Sequence, residues 1–103
     1  MMPEHPMTRY TIAAAWERHR GNDWPQFSSP NQGQLMTLDT VISGCVVFYL
    51  DSPEGLDHQR VAIVKDCLGD LDNLIRELDT DSQAYFLRLR QLGEMLLATS
   101  PRP

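Results

Sequence analysis

A chain of 103 residues with 42% apolar and 22% charged side chains has the size and composition of one ordered domain, which excludes a disordered tail and two independent cores. Its formal charge of −5 is concentrated: from Asp51 to Asp81 nine acids stand against Arg60, Lys65 and Arg76, a local net of −6. That balance weighs against direct contact with a nucleic-acid backbone, which requires a positive footprint. It suits a solvated surface or a face that attracts a basic protein.

Residues 1–7 carry two prolines and no apolar pattern, and read as a tail. The segment has neither the basic region nor the apolar core of a signal peptide. No uninterrupted apolar run of about 18 residues occurs, so no membrane span is expected and the cytoplasm is the expected location. A first helix is predicted over 8–20, with Thr8 as its cap and Ile12, Ala15, Trp16 and His19 on one face. Gly21 and Asn22 supply a left-handed stop. Between Asn22 and Gln34 the residues Pro25, Pro30 and Gly33 interrupt any helix. Trp24 and Phe27 are unusual in such a loop; they either tuck it against the helices or anchor a partner protein.

The stretch 38–50 is balanced between two forms. Leu38, Val41, Ile42, Cys45, Val46 and Tyr49 recur at helical spacing, with Thr37 available as a cap. Its β-branched residues and Gly44 favour a strand instead. A lone strand would have nothing to pair with, so a helix is predicted. Gly44 would then let another helix approach closely, and Gly69 further on marks either a tolerated small loss of helix propensity or a close crossing.

A turn at Asp51–Gly55 leads to the longest pattern, 56–79, in which Val64, Cys67, Leu68, Leu71, Leu74, Ile75 and Leu78 line one face. This helix starts at Ser52-Pro53 or restarts at Asp57, and Asp72 with Arg76 can support its exposed side. Thr80 and Gln83 match a capping box that opens a last helix over 82–98. Tyr85, Leu89, Leu92 and Leu96 form one apolar row, which Phe86, Leu87, Met95 and Leu97 broaden. The short link makes the last two helices an antiparallel hairpin.

The expected fold class is therefore all-α: a compact four-helix domain spanning 1–103, with tails at about 1–7 and 99–103 and a C-terminal antiparallel helical hairpin.

Catalytic and metal motifs are not legible. His5, His19 and His58 are scattered, and Cys45 and Cys67 read as buried free thiols. A ligand set of His19, Cys45, His58 and Cys67 matches no zinc spacing, and Asp66 with Asp70 lacks the Glu-x-x-His partner of a bundle di-metal site. No cofactor and no enzymatic activity are expected. The expected role is a small interaction or regulatory module that presents a helical surface. Phe86, Leu87 and Leu97 are the candidates for homodimerisation, and Trp24 and Phe27 for a partner. Asp66, Asp70 and Asp72 would meet a basic protein. The alternatives are a ligand-responsive or nucleic-acid-associated regulator with a pocket lined by Trp16, Tyr49 and Tyr85, and a small enzyme or metal-binding helical protein.

Overall fold

The computed structural model describes residues 6–22, 24–25, 30–52 and 54–99, and these form helices without a strand among them. The elements are α1 (Pro6–Arg20), α2 (Gln32–Asp51), α3 (His58–Ile75) and α4 (Thr80–Ala98). The all-α architecture matches the periodicity, and the stretch around Val46–Tyr49 is helical despite its β-branched content because its apolar side enters the core.

Several ends differ from those predicted. α1 opens at Pro6, where a missing amide costs nothing in a first turn, so Thr8 lies inside the helix. It closes without a left-handed glycine: the Asn22 side chain donates to the Arg18 carbonyl at 2.6 Å. Gly55, with φ of 81°, is the left-handed residue among those described, and a Cβ there would also meet the Tyr49 ring at 3.8 Å. α2 begins at Gln32, ahead of the expected 38, because Leu35 is drawn fully into the core. Thr37 is consequently not a cap; its hydroxyl donates to the Gly33 carbonyl. α3 restarts at Asp57, whose carboxylate accepts from the Arg60 amide at 2.8 Å.

The predicted capping box at Thr80 is replaced by a different arrangement. Asp79 is the N-cap of α4 and accepts from the Ser82 amide at 2.8 Å. Gln83 instead donates its side-chain amide to the Ile75 carbonyl at 3.1 Å, sealing the end of α3. Arg90 of α4 reaches Asp72 of α3, and Gly93 lies against Leu68. Rising numbers on α4 thus meet falling numbers on α3, which is an antiparallel hairpin linked by residues 76–79.

α4 is the helix the others gather around, since it packs on α1, α2 and α3, whereas α1 and α3 do not pack on each other among the described residues. Phe86, Leu89, Leu92 and Leu96 of α4 meet Ile12 of α1, Leu35, Ile42 and Val46 of α2, and Val64 and Leu71 of α3, all essentially without exposure. Each such side chain contributes about 1.5–3 kcal/mol of transfer free energy. The apolar breadth of α4 is therefore the mark of a helix with three neighbours.

Candidate interaction face

From Gln32 to Leu50 the sequence holds a single charged residue, Asp39. The fold turns that charge inward. Its carboxylate accepts from the Tyr85 hydroxyl of α4 at 3.1 Å and lies 3.5 Å from Nε2 of His19 on α1. His19 is buried, with its ring centroid 4.7 Å from that of Tyr85, and its Nδ1 has no hydrogen-bond partner. Burial, then the Asp39 charge and hydrogen bond, raise the Tyr85 phenol well above the ordinary tyrosine value, so it remains a donor.

With Asp39 withdrawn, the outward side of α2 carries no charge between its ends. Met36, Thr40, Gly44 and Val47 fall four, four and three residues apart and are all exposed, Met36 by 51% and Val47 by 43%. Beside this stripe runs an open groove of about 380 Å³, lined from α2 by Val41, Gly44, Cys45 and Phe48 and from α3 by Gln59, Arg60 and Ile63. A Cβ at Gly44 would meet nothing within 4 Å. Among the described residues no helix approaches Gly44, contrary to the expectation of a close crossing there, and Gly69 is equally open, which fits a tolerated loss of propensity and not a crossing. The close approach lies instead at Gly93.

The groove has one cation on its wall. Arg60 stacks its guanidinium 3.7 Å from the Phe48 ring centroid and pairs with Asp57. The Arg60 amide, chiefly, holds the Asp57 carboxyl below its usual range. Cys45 at the groove floor is buried, and desolvation pushes its thiol up against the opposing pull of Arg60.

The sequence-selected residues are distributed differently. Trp24 is half-buried and meets the rings of Tyr85 and Phe86 edge-on, each with centroids 5.5 Å apart, so its own ring packs onto the core. Phe27 lies outside the described residues. Phe86 is wholly enclosed and Leu97 half-buried against the core; of the three residues proposed for self-association only Leu87 is exposed, beside exposed Ala84 and Gln91. Asp66 and Asp70 are exposed on α3, while Asp72 pairs with Arg90, which also holds Glu94. Arg90 thus takes the place predicted for Arg76, because α3 ends at Ile75.

Trp16, Tyr49 and Tyr85 do not line one pocket. Tyr85 bonds to Asp39, ten residues from Tyr49 and so roughly 15 Å along α2, and Tyr49 is sealed at the other end beneath Arg9, whose guanidinium lies 4.4 Å from its ring centroid. Among the described residues no three His, Cys, Asp or Glu side chains converge as a metal site would require. His19 is occupied with Asp39, away from Cys45.

By length and composition α2 is apolar enough to cross a membrane, although the uninterrupted apolar run is absent; the buried third of that stretch is the side facing the core. Neither a protein-family model, nor a curated protein, nor a solved structure matches this chain. The face was legible in part: one charge in nineteen residues was available as a signal, but which way that charge turned was not.

Proposed function

We propose that this protein is a small interaction or regulatory module of the cytoplasm, without catalytic chemistry of its own, and that the outer face of α2 with the adjoining α2–α3 groove is the surface it presents. What supports this reading is the uncharged exposed stripe Met36–Thr40–Gly44–Val47 in a chain with 22% charged residues. Solvent contact alone gives no reason for such a stripe to lack charge, whereas the centre of a protein interface is depleted of it. Affinity capture from the native lysate with wild-type protein and with a Met36→Glu, Val47→Glu double variant tests it. Loss of specific partners in the folded variant supports the reading, and an unchanged set of partners overturns it.

A second reading rests on Asp66 and Asp70, exposed one helical turn apart on α3. It places a basic protein there, with capture that weakens as salt rises. Asp66→Asn, Asp70→Asn protein that retains the same salt-sensitive partner would exclude it.

A further inference from the structure

We infer that α1 is a releasable strap: it melts off a body of α2, α3 and α4 that stays folded, and its release loosens the last turn of α2. Resting on the α2 face as the interaction surface, this makes α1 the element that regulates it. Among the described residues Ile12 is the one apolar side chain of α1 that is fully buried, against six buried apolar side chains on α2 and five each on α3 and α4. α2, α3 and α4 each pack on the other two, whereas α1 rests on α4 and α2 and does not reach α3. Removing α1 therefore opens one side of the core and leaves the packing of the other three helices on one another intact.

Two polar clasps hold the strap, one towards each end. Arg9 donates to the Tyr49 carbonyl at 2.6 Å and to the Ser52 carbonyl at 3.0 Å, and its guanidinium covers the Tyr49 ring. Ten residues on, His19 stands 3.5 Å from the Asp39 carboxylate, at the long limit of a hydrogen bond. Tyr49 and Asp39 are likewise ten apart on α2, so both intervals span about 15 Å and α1 runs antiparallel to α2. Between the clasps sits Ile12, with Ala15 and Trp16 only half-buried. The 15 residues of α1 are about the length at which an isolated helix is marginal in water, so a strap that comes off also unwinds.

The link to α2 runs through Arg9. α2 has no basic residue in its own last turn, so the guanidinium on its last carbonyls is one that α1 brings. That turn follows Val47 directly and contains Phe48, on whose ring Arg60 stacks at the groove. The other end of α2 is finished separately, by Asn31 donating to Glu77 at 3.1 Å, so the release of α1 is felt at one end only. With α1 in place the Phe48 end of the interaction surface is fixed; without Arg9 it frays.

Native-state amide exchange of the full chain, read residue by residue by NMR, tests the inference. The expected result is protection at Trp16 at least about a hundredfold below that at Leu89. Ile75→Val weakens the body on a helix that α1 does not touch, and should speed exchange at Leu89 by up to about tenfold while leaving Trp16 unchanged. Arg9→Met removes one clasp and should speed exchange by about tenfold at Trp16, and at Tyr49 and Leu50 with it. Equal protection at Trp16 and Leu89, or a Trp16 rate that rises with that of Leu89 in Ile75→Val, would show that α1 opens only with the whole domain and would overturn the inference. Arg9→Met that leaves Trp16 unchanged, or speeds it alone, would overturn the part given to Arg9. Met36 and Val47 are untouched in both variants, so a negative result here is separate from failure of the capture experiment on the α2 face.

Discussion

The Tyr85 hydroxyl on α4 donates to the Asp39 carboxylate on α2 across 3.1 Å. The same carboxylate stands 3.5 Å from His19 on α1, so one acid holds three helices in a common register. Its placement has two consequences: it gives an otherwise apolar junction a fixed geometry, and it strips the exterior of α2 of its only internal charge.

Tyr85→Phe is expected to cost about 1 kcal/mol, because the carboxylate loses a donor at a site that water reaches only in part. The phenol's pKa is raised in the folded state, first by burial and then by Asp39. Its contribution to stability is therefore fully present below the ordinary tyrosine value of about 10 and is lost as the pH rises through the higher folded value. Denaturant unfolding from pH 8 to 11 should show a decline in the wild type that is weaker in Tyr85→Phe. Parallel curves would mean that Tyr85 is not the group responsible.

Gly93 and Gly69 should respond to alanine in opposite directions. A Cβ at Gly93 would stand 2.8 Å from Cδ2 and 3.3 Å from Cγ of Leu68, whereas one at Gly69 meets nothing within 4 Å. Gly69→Ala should stabilise by up to about 1 kcal/mol through helix propensity. At Gly93 the same gain is opposed by overpacking worth roughly 1–3 kcal/mol, because buried Leu68 must move. A double-mutant cycle isolates that clash: added to Leu68→Ala, Gly93→Ala should stabilise the fold. If it still destabilises, the contact with Leu68 is not the reason for glycine.

The different fates of Gly44, Gly69 and Gly93 also mark what the sequence made legible. Apolar spacing identified all four helices, since intervals of three and four in Leu68–Leu71–Ile75 and Leu89–Leu92–Leu96 have no strand equivalent. Which glycine lies at a crossing depends on the register between helices, and one helix's own period does not contain that information. The breadth of α4 was ambiguous for the same reason: three neighbours inside one chain and a seam between chains leave identical patterns. At Asp79-Thr80 two adjacent residues were both able to cap, and the choice fell to Asp79 once Gln83 was engaged at the Ile75 carbonyl.

The two aspartate caps should shape the acid limb of stability. Asp57 and Asp79 are held below the usual carboxylate range, mainly by hydrogen bonds from the amides of Arg60 and Ser82. A depressed folded pKa adds stability that is present above the unfolded value near 4 and is lost as the pH falls through the folded one. Asp79→Asn should keep the cap, leaving the melting temperature at pH 7 close to wild type while flattening the loss below pH 4. Asp79→Ala should lower the melting temperature at both pH values. Equal behaviour of Asn and Ala would show that the cap bond to Ser82 is not what stabilises this end of α4.

Cys45 and Cys67 provide an independent reporter of both the core and the groove. Burial raises both thiols, and at Cys67 the charges of Cys45, Asp70 and Asp66 add to it. The neutral thiol is favoured in the fold, so this contribution is complete below the ordinary cysteine value near 8.5 and fades as the pH climbs through the raised one. At pH 7 an aromatic disulfide reagent should label neither residue at the rate of a free peptide thiol, and labelling should accelerate with denaturant as the helices open. Cys45 also lines the groove beside Gly44, so its labelling reports on that groove as well. Labelling of either residue at the free-peptide rate at pH 7 without denaturant would show that the fold does not keep its thiol buried.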